Sequence, residues 1–411
     1  MSGKTILPGA TLGVMGGGQL GRMFVQAAQS LGYFTAVLDA DATSPAGLVA
    51  HYHIATDYLD EQGLAQLMQR CEAITTEFEN VPAGALVTLG AHRRVAPGAE
   101  SVAVCQNRAA EKAEFKRCGV ACAPFALIDT PERLRSVPDD LLPGILKTVR
   151  LGYDGKGQAR VADRAALAAA WDSLGQVPCV LEQRLPLALE LSVLVARGAS
   201  GDCVVLPVQQ NLHQDGILAV TQVPAPDATP GQQQAATRAA VALATAMDYI
   251  GVLCVEFFVL ADGSLVANEM APRPHNSGHW SIDGSDVSQF ELQVRTLTGL
   301  PLTAPRQHSA AVMLNLLGDL WWRNPATEQT PPWADVLALP GVHLHLYGKA
   351  NARPGRKMGH LTVTAESPAA ARTVALQAAA LLGLPAFCAP PGNDCVIPAP
   401  GVKQSGKATF P

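Results

Sequence analysis

The chain has 411 residues, 48% hydrophobic and only 16% charged, with a formal net charge of −5. That is enough chain for two or three domains around a well-buried core, and too apolar for a disordered protein. No basic run stands out, so nucleic acid is not an expected partner. No uninterrupted apolar stretch is long enough to cross a bilayer, and no secretory leader opens the chain. Nine cysteines without a CxxC pair read as free thiols of a soluble protein in the reducing cytoplasm.

In chain order, the first hundred residues alternate strand and helix. Thr11–Met15 is an apolar strand, Gly16–Gly21 a glycine turn, Arg22–Leu31 a helix and Phe34–Leu38 a second strand. A helix over Glu61–Arg70 and a strand over Ala73–Glu77 follow, and this alternation predicts α/β architecture with a parallel sheet. Gly16-Gly17-Gly18-Gln19-Leu20-Gly21 fits GxGxxG, with Asp39 ending the next strand. Such a turn lets backbone amides approach a phosphate or another polar ligand. It is weak support for NAD, because nothing downstream supplies a hydride-transfer site. Asn107 is placed to cap a helix running to about Cys118.

Beyond Cys118 the pattern turns β-rich: Gly144–Val149, Ala159–Val161, Cys179–Glu182, Leu189–Val195 and Cys203–Val208. Lys147 lies among apolar neighbours, and spacing leaves open whether it faces inward to an anion or outward at an edge. Gly152-Tyr153-Asp154-Gly155-Lys156-Gly157-Gln158 joins two short strands. Three glycines around a lysine suit a loop folding over nucleotide phosphates, although no Walker A pattern is present. Pro224–Pro230 is a break before a helix over Gln232–Met247.

Asp262-Gly263 then separates two apolar runs, a hairpin signal. With a two-residue tip, Glu256 falls directly opposite Glu269, their Cβ atoms about 5 Å apart. Facing carboxylates repel, and a hard cation such as Mg²⁺ offsets that repulsion; a one-residue slip in register would instead leave both acids merely solvated. The next loop packs Arg273, His275, Asn276 and His279 just after a strand. Prolines on both sides of Arg273 oppose the helix that a His275/His279 metal pair requires, so hydrogen bonding is the expected role. His213 reads equally as a structural histidine. Past a further shift near Pro301–Pro305, strands are expected over Ala310–Leu317, Val342–Tyr347 and His360–Thr364, then a helix over Ala369–Leu382. Lys349, Arg356 and Lys357 bring three cations around a turn, suited to a phosphate monoester or to solvent.

Together GGGQLGRM (16–23), EFENV (77–81), GYDGKGQ (152–158), NLHQDGIL (211–218), NEMAPRPHNSGHW (268–280) and RPGRKMGHL (353–361) resemble the ATP-grasp superfamily. Within it the chain is most similar to the N5-carboxyaminoimidazole ribonucleotide synthetase family of purine biosynthesis. The resemblance implies an N-terminal Rossmann-like pre-ATP-grasp domain over 1–107 and an ATP-grasp domain over 108–300 with a lid at about 120–187. A C-terminal β-rich domain over 301–385 and a tail over 386–411 would follow. It implies an ATP-dependent, carbon–nitrogen bond-forming ligase using Mg²⁺, bicarbonate and aminoimidazole ribonucleotide, working as a homodimer.

By the same resemblance Arg108 and Lys147 touch the nucleotide phosphates and the Gly152–Gln158 loop closes over them. Glu182, Gln183, Arg184 and Leu185 form the adenine hinge, Glu190 holds the ribose, and His213, Asn268 and Glu269 border the nucleotide. Glu256 and Glu269 carry the metal; Arg273, His275, Asn276 and Lys156 serve catalysis. Gly18, Gln19, Leu20, Glu77, Tyr153, Lys349 and Arg356 grip the ribonucleotide. Three positions depart from the family pattern: Leu151 where glycine is common, Asn107 for aspartate, and Ala271 where many relatives place an asparagine metal ligand. Rival readings are a formate-dependent glycinamide ribonucleotide transformylase, an NAD-dependent dehydrogenase and a non-catalytic nucleotide sensor.

Overall fold

A computed structural model describes residues 4–152, 157–323 and 327–387. Tyr153, Asp154, Gly155, Lys156 and the tail beyond Phe387 therefore lie outside the described residues. The N-terminal strands Tyr52–Ile54, Phe34–Leu38, Thr11–Met15, Ala73–Thr76 and Arg94–Val95 form one parallel sheet in that spatial order. Strand order reverses between Thr11–Met15 and Ala73–Thr76, whose carboxyl ends open a crevice where doubly wound sheets bind ligands. The first helix starts at Gln19, not Arg22, so the glycine turn's last residues already belong to it.

The helix Arg108–Arg117 leads out of this unit; Asn107 caps it, its side chain accepting from the amides of Ala109 and Ala110. A small antiparallel sheet follows, ordered Phe125–Ile128, Cys179–Gln183, Gly144–Thr148, Gln158–Val161. The largest sheet has nine strands and is antiparallel throughout. It carries the long strand Leu187–Arg197 beside Gly251–Leu260, and Ile217–Val223 hydrogen-bonds directly to Ala310–Leu317. The strands beyond residue 301 thus extend the central sheet. Pro230 sits at the first helical turn of Pro230–Ala246, where its missing amide costs nothing, rather than in a preceding break.

The hairpin departs from the expected register. Leu260 pairs with Ser264 across a three-residue loop in which Gly263 takes a φ of 83°, a left-handed value that glycine accepts without strain. The ladder then runs Val259↔Leu265, Phe258↔Val266, Phe257↔Ala267. A bulge opposite Glu256 inserts one extra residue, after which Val255 pairs with Met270. Glu256 therefore has no single partner across the ladder; Asn268 and Glu269 both lie opposite it.

Candidate active site

A cavity of about 1010 Å³ lies between the small sheet and the central sheet. Arg108, Lys147, Gly152, Gln158, the stretch Glu182–Leu185, Glu190 and His213 all line it. So do Glu256, Asn268, Glu269, Arg273, His275 and Asn276. Apart from Gly157, the adenine, phosphate, metal and catalytic groups expected from sequence thus line one cavity wherever they fall within the described residues. Gly157 forms the base of the glycine loop, its carbonyl accepting from the Thr148 amide. Leu151, at the site of a common family glycine, has φ 61°, a backbone value that costs a leucine about 1 kcal/mol.

The cavity floor is a lattice of buried charge. Lys147 faces inward, its Nζ donating to Glu182 Oε2 at 3.0 Å, which settles the question that its neighbours left open. Lys112, 1% exposed, stands 3.4 Å from Glu182 Oε1 and donates to the Asn268 carbonyl at 2.9 Å. Glu111 accepts from the Met270 amide. Two successive helix residues thus grip the backbone on either side of Glu269, while Arg108 Nη1 donates to the Glu269 carboxylate at 3.0 Å. Burial, and the charge on Glu269, push Glu111 up to about 8.

The two cavity acids are unequal. Withdrawal from solvent raises Glu269, but the charges of Arg108, Lys147 and Lys112 outweigh it and hold the carboxyl below its ordinary value. Burial and the neighbouring Glu269 charge push Glu256 up to about 7. Its partners are distant: Asn268 Nδ2 and His275 Nε2, each 3.4 Å away. Asn268 Oδ1 is buried with no hydrogen-bond partner. Two carboxylates and an orphaned amide oxygen, with no sulfur among them, form the donor set of a hard cation. Ala271 lines the cavity and contributes no side-chain oxygen.

Glu190 bonds His213; burial opposes a charge on the imidazole, yet that bond and the nearby Glu256 raise it to about 9. Arg273 pairs with Glu79, a residue of the EFENV run that single-residue reasoning did not pick out. Gln289 was likewise missed: it accepts from the His275 amide and donates to the His275 carbonyl, both at 2.8 Å, fixing the loop that carries Arg273, His275 and Asn276. Its helix, Gln289–Thr298, was legible in the Ser288-x-x-Glu291 start, a capping signature.

The expected ribonucleotide grip forms a second cluster at the switch point. Glu77 accepts from the Gly18 amide at 3.0 Å and the Gly21 amide at 3.2 Å. Asp39 accepts from the Gly17 amide at 2.7 Å and from the Tyr58 hydroxyl. Lys349 Nζ donates to Gln19 Oε1 at 2.8 Å, tying the basic turn to the glycine turn. Arg356 donates to the Asn351 carbonyl, and its charge helps hold Asp41 below the usual carboxylate range, after the hydrogen bonds from Thr43. Leu20 is 5% exposed, its side chain packed into the N-terminal core, so its main chain is what it can offer a ligand at the turn. Glu77 occupies the amides on which a dinucleotide diphosphate would rest, so this GxGxxG turn is not an NAD site.

A parallel switch-point unit, a charged cleft between two antiparallel sheets, and paired acids on the cleft wall define an ATP-grasp enzyme. Residues 113–290 match the ATP-grasp domain family, 9–106 the ribonucleotide synthetase preATP-grasp domain, and 311–373 the phosphoribosylaminoimidazole carboxylase C-terminal domain. The chain belongs to the N5-carboxyaminoimidazole ribonucleotide synthase family. It is 43% identical over 365 residues to the Brucella melitensis synthase, covering 88% of this chain and 98% of that one. The solved ADP complex of an N5-carboxyaminoimidazole ribonucleotide synthetase superposes with TM-score 0.85 at 37% identity, covering 91% of this chain and 97% of that one. The Aspergillus clavatus enzyme, solved with ADP and 5-aminoimidazole ribonucleotide, gives TM-score 0.82 at 30% identity, covering 91% and 98%.

Proposed function

We propose that this ATP-grasp ligase carboxylates the exocyclic amine of 5-aminoimidazole ribonucleotide, using ATP and bicarbonate through carboxyphosphate and releasing ADP and phosphate. The observation that carries the reading is a cleft in which the paired acids Glu256 and Glu269 and the buried cations Lys112 and Lys147 converge, joined by Arg273–Glu79 to the switch-point crevice. ATP lies along the cleft, its adenine against Glu182–Leu185 and its ribose at Glu190. Arg108 and Lys147 meet the phosphates as point charges in a low-dielectric site. Glu256, Glu269 and the orphaned Asn268 oxygen would hold Mg²⁺. Bound there, it would supply the positive charge that offsets the negative charge developing as bicarbonate attacks the γ-phosphorus.

Arg273, largely shielded and held by Glu79 and by the Pro274 carbonyl of its own loop, would meet the carboxyphosphate oxygens. His275 is held well below the usual imidazole range by burial and by the Arg273 charge, so it serves as a neutral hydrogen-bonding group. Asn276 adds a second polar contact on the same loop. Lys156 and its loop, outside the described residues, are expected to exclude water until the ribonucleotide amine has captured CO₂ as a carbamate. Gln19, Lys349 and Arg356 hold the ribonucleotide at the crevice, against the glycine turn that Glu77 fixes through the Gly18 and Gly21 amides.

Its setting is the cytoplasm, in keeping with the seven free cysteines among the described residues, and it acts as a homodimer. The test is a substrate-omission assay. ADP release is expected to require Mg²⁺ and to rise strongly only with aminoimidazole ribonucleotide plus bicarbonate; turnover with formate and not bicarbonate overturns the reading.

A further inference from the structure

The run Val342-His343-Leu344-His345-Leu346 places two histidines two residues apart on a strand, and therefore on one face of the sheet. Its neighbour Lys357–Ala365 pairs His360 directly with His345, which puts a third imidazole on that face. The short helical turn Ser281–Gly284 lies over them and supplies Asp283. His345 Nε2 is 2.9 Å from Asp283 Oδ2, and His343 Nδ1 is 3.7 Å from Asp283 Oδ1. The ligating atoms of Asp283, His345 and His360 all lie within 4.8 Å of one another.

His360 supplies the independent observation. It is fully buried, its Nδ1 lies 3.0 Å from the Tyr347 hydroxyl, and its Nε2 has no partner. With Nδ1–H donated to that hydroxyl, Nε2 carries a bare lone pair at the cluster, an arrangement that costs free energy unless something accepts it. His343 repeats the pattern, its Nε2 3.1 Å from Thr364 Oγ1 while Nδ1 faces the acid. Metal-bound histidines use their second nitrogen in this way to fix tautomer and ring orientation.

We propose that Asp283, His343, His345 and His360 form a binding site for a divalent transition ion of the Zn²⁺ class, separate from the nucleotide cleft. Imidazole nitrogens with one carboxylate suit Zn²⁺, Co²⁺ or Ni²⁺ and not Mg²⁺. The His345 and His360 rings now stack at 4.5 Å, nearly parallel, so binding turns His345 out of the stack. Its side chain is 29% accessible, which gives the ring room and the ion an entry path. The proton that His345 shares with Asp283 moves to Nδ1 or to solvent as Nε2 takes the ion. An ion here would brace the strand that continues into Tyr347, Gly348 and Lys349.

The inference does not rest on the proposed reaction. The full chain, stripped with chelator and titrated with Zn²⁺, is expected to take up about one ion, and with Co²⁺ to develop visible ligand-field absorption. His345→Gln and Asp283→Asn, checked for fold by circular dichroism, are expected to bind at least about 100-fold more weakly, because even outer partners of a metal cost 10–100-fold. Glu256→Gln is expected to retain the ion. A wild-type protein that binds no Zn²⁺ tightly overturns the proposal. So does undiminished binding in both cluster variants, or loss of the ion in Glu256→Gln alone.

Discussion

Two pairs of acids serve this protein in opposite ways. At the switch point Glu77 and Asp39 are supplied with donors: main-chain amides of Gly17, Gly18 and Gly21, and the Tyr58 hydroxyl. Their charge is spent on holding a turn of glycines in place. In the cleft Glu256 and Glu269 have cations behind them but few donors in front, and Glu256 is raised to about 7. A carboxylate that the fold satisfies organises backbone, whereas one that the fold leaves short of donors is kept for a ligand. The glycines follow the same logic: a Cβ on Gly18 would lie 2.5 Å from Glu77 Oε1, and one on Gly16, at φ 107°, 2.4 Å from Glu77 Cγ.

The sharpest way to break the comparison is Glu269→Gln, which keeps shape and removes charge. If Glu269 carries the ion as proposed, its loss is expected to lower kcat/KM at least about 100-fold, read as ADP release under saturating Mg²⁺. Because Glu111 and Lys112 still grip the backbone on both sides, the circular dichroism spectrum should not change. Activity within threefold of wild type would remove Glu269 from the metal shell. Gly18→Ala attacks the other pair. It pushes Glu77 off its amides and is expected to raise the KM for the ribonucleotide about 10-fold while leaving ATP binding intact, since the cleft is untouched. An equal loss of both ligands would show that the two acid pairs are one structural unit.

Much of this contrast was legible from residues alone, and the exceptions have physical causes. Thr11–Met15, Phe34–Leu38, Glu61–Arg70 and Ala310–Leu317 match to the residue, because apolar period and flanking turn chemistry agree there. Gln209–Gln214 was missed as a strand because its first three residues, Gln209, Gln210 and Asn211, are polar and nonetheless buried. Its Gln210 bonds Asp227 and its Asn211 bonds Ser192, partners that only the fold supplies. The hairpin's acids do meet at the cavity, yet by a longer loop compensated by a bulge, two offsets that hydrophobic alternation cannot reveal separately. Glu79 with Arg273, and Lys112 with the Asn268 carbonyl, join positions more than 150 residues apart, and no local pattern encodes such pairs.

The smallest effect probes the comparison through protons. An acid raised from 4.5 to about 7 means that the folded, ion-free protein keeps a proton which the unfolded chain has released. Glu256 therefore contributes stability that is full below about pH 4.5 and is lost as pH rises through 7. Glu111, raised to about 8, adds the same sign over a slightly higher range. The melting temperature without Mg²⁺ is expected to fall by roughly 3–6 °C between pH 5.5 and 8; Glu256→Gln is expected to remove the part below about pH 7, roughly a third of the slope, and to leave the part that Glu111 carries. Mg²⁺ with ATP should restore more at pH 8 than at pH 6, since the ion takes the place of the proton between two like charges. At the glycine turn Glu77 is raised too, burial outweighing the Gly18 and Gly21 amides, but those amides and not an ion are its partners. Gly18→Ala should therefore leave the magnesium-dependent part of the pH profile unchanged, and a profile that moved with it would mean that the acids at the crevice also answer to the ion.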